Sequence, residues 1–182
     1  MSFLPFTDAD RATLRWVRTA DRPFASELRS ERGILGVLRW ANDTGSLAHA
    51  EGAAFHWTLK RTGFLDPRVS VREEGKTAPF AGLRAQGLHH VIRTPQGTYR
   101  FGRSGLLVPA WEVGGDNGGW ALHIEPGRTG RRLEGAVLEV GSSRVAPEEL
   151  LLLANLAWYF IVLAWFEDEA IGEWTDHFEG KT

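Results

Sequence analysis

Residues 151–165 read LLLANLAWYFIVLAW, and the reading of this stretch decides the fold. It holds no charged side chain and one amide, Asn155. Extended to Leu150 and Phe166, it is 17 residues long and apolar on every helical face except at Asn155. A helix of that kind is either a membrane span or wholly enclosed in protein. A span needs about 20 apolar residues, so the length sits at the lower limit. Glu148 and Glu149 lie on one side, and Glu167, Asp168 and Glu169 on the other. Spans carry Lys or Arg on the cytoplasmic side and aromatic anchors at both interfaces. An anionic leaflet repels carboxylates. Pro147 ahead of two glutamates suits a helix start, where proline is tolerated and acids meet the positive end of the dipole. The reading adopted is a core helix over residues 148–167. A tail-anchored membrane protein with residues 150–166 in the bilayer is the alternative.

The preceding chain supplies an enclosure. FHWTLK sets Phe55, Trp57 and Leu59 on one face against His56, Thr58 and Lys60. WALHIE sets Trp120, Leu122 and Ile124 against Ala121, His123 and Glu125. Such alternation marks strands with one buried side. ILGVLRW, residues 34–40, is apolar on both faces. Turn-forming clusters follow every 8–15 residues, as in Asn42–Gly45, Thr94–Gly97 and Gly114–Gly118, which points to consecutive hairpins. Twelve strands are expected: 14–18, 24–29, 33–40, 46–50, 53–60, 67–72, 78–84, 88–93, 98–102, 105–112, 119–125 and 132–140. The first has a helix as its alternative, because Thr7 with Asp10 resembles a capping box. A barrel of about eight strands is filled by its own side chains, whereas a wider one has a lumen. A helix about 10 Å across fits that lumen. The expected fold is all-β with one central helix: an antiparallel closed barrel of about twelve strands around a hydrophobic C-terminal helix. The domain covers residues 1–168, followed by an acidic tail at 169–182.

This order of elements resembles the Tubby C-terminal-like superfamily, which includes the Tubby, LURP-one-related and phospholipid scramblase proteins. The resemblance is carried by FHWTLKRTGFLDPRVSVR (Phe55–Arg72) and by EELLLLANLAWYFIVLAW at the C-terminal helix, and spans roughly residues 14–168. It implies an uncharacterised bacterial member of the group. Tubby domains bind phosphoinositides and scramblases act on phospholipids, so the resemblance implies a lipid ligand. No residue of this chain matches the family's lipid-binding basic motif or its acidic segment.

The 182 residues contain no cysteine, which excludes disulfide and thiolate chemistry and fits the cytosol. Net charge is −2, too small for a nucleic-acid partner. Residues 167–182 carry six acids and one lysine, so the tail is acidic and the remainder mildly basic. Asp43-Thr44-Gly45 is the aspartic-protease tripeptide, but such enzymes need paired carboxylates, and an Asn/Asp/Gly turn explains it better. An aspartic-type hydrolase using Asp43 is therefore a second alternative. The six histidines have no metal-ligand spacing. Ser104 lacks the GxSxG elbow, and residues 114–119 lack the Lys-Ser/Thr of a phosphate loop. No catalytic residue, metal or cofactor is assigned. The suggestive set is basic: Lys60, Arg61, Arg128, Arg131, Arg132 and Arg144, at strand ends and loops. The expected function is a non-enzymatic binding or scaffold module, cytoplasmic and membrane-associated, monomeric, holding anionic phospholipid or another phosphorylated ligand on these cations.

Overall fold

The computed structural model describes the chain except residues 1, 20–23, 42–45, 64–65, 88, 105–109, 116–118, 130–131, 142–144 and 180–182; of 132 and 167–179 it describes the backbone alone. A 3₁₀ turn at Asp8–Ala12 precedes twelve strands. They are β1 (Leu14–Arg18), β2 (Ala25–Ser30), β3 (Gly33–Trp40), β4 (Leu47–Gly52), β5 (Phe55–Thr62) and β6 (Arg68–Glu73). There follow β7 (Ala81–Gln86), β8 (His89–Arg93), β9 (Thr98–Ser104), β10 (Ala110–Gly115), β11 (Trp120–Thr129) and β12 (Arg132–Val140). One α-helix, α1 (Pro147–Glu179), is the last element among the described residues. Each strand pairs antiparallel with its neighbours in sequence, and β12 closes on β1 through Leu14↔Leu138 and Trp16↔Ala136. The result is a closed twelve-stranded barrel with no free sheet edge, which removes the commonest route to edge-to-edge aggregation.

Residues 147–166 are long and apolar enough to cross a membrane, yet 72 % of that stretch is buried inside the protein. Every side chain from Glu149 to Tyr159 is buried. The helix threads the lumen, which its own wall cannot fill. The inward residues of the strands, among them Trp16, Leu38, Leu59, Phe101, Leu122 and Ile124, join Leu153, Leu156, Ala157 and Trp158 in one core. Trp16 stacks on Trp158 with ring centroids 5.9 Å apart. The alternation of FHWTLK holds, with Phe55 and Leu59 buried in the core and His56 and Lys60 outside.

Several expectations are amended. β11 runs to Thr129, well past residue 125, because its pairing with β12 continues through Pro126↔Ala136 and a register shift at Gly127/Arg128. Both faces of β3 are covered: Leu35 and Val37 are buried, and Leu4 of the N-terminal segment donates its N–H to Ile34 C=O at 2.9 Å. The helix does not stop at 167 but continues as helical backbone to Glu179.

Asn155 differs from its surroundings. Its Nδ2 donates to Leu151 C=O at 2.8 Å, one turn back on the same helix, and its Oδ1 has no partner among the described residues. The barrel wall therefore does not satisfy this amide; the helix does, in part. Removing it forfeits about 1 kcal/mol of hydrogen bond. It also relieves an orphaned acceptor and installs the best helix former. Asn155→Ala is thus expected to change stability by no more than about 1 kcal/mol in urea denaturation. A loss near 3 kcal/mol would show that Oδ1 is firmly held.

Candidate functional site

The two barrel ends differ. Helix α1 starts at the base, among the turns between β2 and β3, β4 and β5, and β8 and β9, where Thr94 Oγ1 donates to the buried Glu149 carboxylate. It leaves at the opposite end, the mouth. There Tyr159 O–H donates to Ser46 C=O and accepts from Arg61 N–H at 2.9 Å. Tyr159 also lies parallel to Trp40, with centroids 6.1 Å apart. Burial pushes the Tyr159 hydroxyl far above its ordinary pKa, only partly offset by the Arg61 N–H and the Arg61 charge. The phenol therefore stays a proton donor and pins helix to wall. One residue further, Phe160 meets His90 at 4.3 Å and Phe101 at 5.6 Å. Burial, with the neighbouring His89, holds the His90 pKa below its ordinary value.

Strand parity sets what surrounds this exit. Trp16, Leu59, Phe101 and Ile124 point inward. Two residues on from the first three stand Arg18, Arg61 and Arg103, on the lumen side. Arg128 shares that side, because it pairs with the buried Leu133 across the β11–β12 ladder. Four arginines on β1, β5, β9 and β11 therefore ring the helix where it emerges. Arg103 lies over the Trp111 ring at 5.2 Å, and Arg18 donates to Leu133 C=O at 3.4 Å. Lys60, Arg68 and Arg84 have outward parity on β5, β6 and β7 at the same end, Arg68 being paired with Asp66.

Charge is polarised along the barrel axis. The last two residues of each strand at the mouth include arginines 18, 39, 61, 68, 103, 128 and 132 and no carboxylate. At the base the matching positions mix Arg15, Arg29, Arg72 and Arg93 with Glu51, Glu73 and Glu139. Glu74, Glu148 and the buried Glu149 add further acid there.

The basic set expected from the sequence divides. Lys60, Arg61, Arg128 and Arg132 all belong to the mouth, but β5 lies across the ring from β11 and β12. Lys60 and Arg61 point to opposite sides of the wall, as adjacent strand residues must. They line a ring instead of forming one cluster. Arg131 and Arg144 lie outside the described residues, as does Asp43, and only the backbone of Arg132 is described. Arg18 and Arg103 were not singled out from sequence; the available signal was their spacing two residues after an inward aromatic.

Elsewhere, His123 stands on the outer wall between the Glu112 carboxylate at 3.2 Å and that of Glu125 at 3.3 Å. Among the described residues no group of three or more His, Cys, Asp or Glu is arranged to hold a metal ion. Ser104 closes β9 and pairs with Ala110 of β10, so it stands at no strand-to-helix elbow. Comparison with protein-family models, with curated proteins and with solved structures finds no match to this chain.

Proposed function

We propose that the protein is a non-enzymatic binding module that docks by its mouth onto phosphate-bearing surfaces, with anionic phospholipid headgroups as the ligand. The observation that carries this reading is the ring of strand-end arginines around the helix exit, with no carboxylate in the matching positions. Guanidinium forks match phosphate oxygens in geometry as well as charge. A membrane is favoured over a free phosphate compound because apolar groups share the mouth. Phe24 is an exposed aromatic there, and Leu163, Trp165 and Phe166 emerge only partly buried. Aromatic rings beside cations suit the headgroup level of a bilayer. The resemblance to Tubby-like proteins favours the same reading, with the protein acting at a cytoplasmic membrane surface.

Flotation with phosphatidylserine vesicles tests it. The protein is expected to float with these vesicles at low salt, to be released at high salt, and to ignore phosphatidylcholine vesicles. Each basic residue near an anionic leaflet contributes about 1 kcal/mol, so Lys60→Ala with Arg128→Ala should weaken retention by about 30-fold. Displacement by a soluble inositol phosphate at equal phosphate concentration would move the ligand from membrane to free compound. Equal retention on neutral vesicles, or none on either, would overturn the proposal.

A further inference from the structure

We infer that the acidic end of α1 is an intramolecular competitor for the arginine mouth, so that the protein carries its own inhibitor of anion binding. This rests on the binding reading above. The helix is continuous from Pro147 to Glu179 and leaves the barrel through the arginine ring. Tyr159 marks the level of the rim, where its hydroxyl meets the Arg61 backbone and Ser46. At about 3.6 residues per turn, Glu167, Asp168 and Glu169 follow two to three turns later on the same helical backbone, beyond the mouth. Beyond them come Glu173, Asp176 and Glu179, and no Lys or Arg lies between 167 and 179.

Thirteen helical residues carrying six acids and no Lys or Arg thus project from the most cationic end of the molecule. A covalently attached anion acts at an effective concentration in the millimolar range, which a free ligand must exceed. A membrane surface of high charge density, or loss of the tail charge, opens the mouth. The coupling is reciprocal: what binds the arginines loosens the tail, and what neutralises the tail strengthens binding.

The test uses the full chain and phosphatidylserine vesicles at fixed salt. Glu167→Gln/Asp168→Asn/Glu169→Gln is compared with wild type and with Glu173→Gln/Asp176→Asn/Glu179→Gln, which removes the same charge further from the rim. Matched thermal melts establish that all three are folded. The near triple variant is expected to bind between about 5- and 150-fold tighter than wild type, the usual range of site coupling, and the far variant distinctly less so. Wild type and near variant binding equally would overturn the inference and leave the binding reading intact. Equal gains from near and far variants would overturn it too, since net charge then suffices. No binding by any of the three would overturn the binding reading and this inference with it.

Discussion

Trp158→Ala is expected to lower stability by about 3–5 kcal/mol, the range for deleting a large aromatic from a packed core. Trp158 is 1 % exposed inside the lumen, stacked on Trp16 of β1. Its loss removes the dispersion contacts of an indole and opens a void that a closed barrel cannot collapse to fill, since every strand is held on both sides. The helix lacks an independent means of support: its polar groups inside the barrel are few, and its packing face is its whole circumference. Urea denaturation of the variant should show the midpoint displaced with unchanged slope. Trp120→Ala is the control. Trp120 is 36 % exposed at the base, and its removal should cost about 1 kcal/mol or less. A loss for Trp158→Ala no larger than that of the control would show that the helix does not carry the core. The same experiment bears on the two readings of residues 151–165, because a membrane span would be indifferent to the barrel's packing.

How much of this was legible beforehand follows from which physical signals act locally. The alternation of Phe55, Trp57 and Leu59 depends on neighbouring residues alone, and it survives in the structure. The number of strands and the enclosed helix follow from such local patterns plus the need to fill a wide lumen. The ends of the elements do not. β11 outruns its alternation because β12 offers partners as far as Arg132↔Thr129. α1 outruns its apolar stretch because glutamate and alanine are good helix formers and a charge boundary is not a helix stop. Both apolar faces of β3 are buried, through contacts with segments remote from it in the chain. The mouth shows the same division. Sequence identifies which residues are basic, but adjacency misleads: Lys60 and Arg61 are neighbours in the chain and opposed across the wall. Arg18, Arg103 and Arg128 stand far apart in sequence and share one rim, and closure of the barrel alone brings them there.

At the base, Asp10→Asn is expected to cost about 1.5–3 kcal/mol at neutral pH, the range for hydrogen bonds to a buried charged group. Asp10 has no exposed surface. Its carboxylate accepts from Ser30 Oγ at 2.6 Å, from Thr7 N–H at 2.8 Å, from Thr7 Oγ1 at 2.9 Å and from Arg32 Nη1 at 2.9 Å. Burial acts to raise its pKa, but the bonds from Ser30 and Thr7, with the Arg32 charge, outweigh it and hold the carboxyl below its ordinary value. The unfolded chain therefore takes up the proton first as pH falls. Stability from Asp10 is complete above the ordinary carboxylate range and is lost as pH drops through the folded value. The difference between wild type and Asp10→Asn should accordingly be constant from neutral pH down to about 5 and shrink below that. Parallel stability curves down to pH 2.5 would refute the assignment. The network matters because of what adjoins it: Arg11, in the same 3₁₀ turn, donates to Val145 C=O at 2.6 Å, two residues before α1 begins. Asp10 thus braces the base against the start of the helix, while the arginines stand at the far end. Vesicle binding per folded molecule should be unchanged in Asp10→Asn, so that the fold and the mouth can be weakened separately.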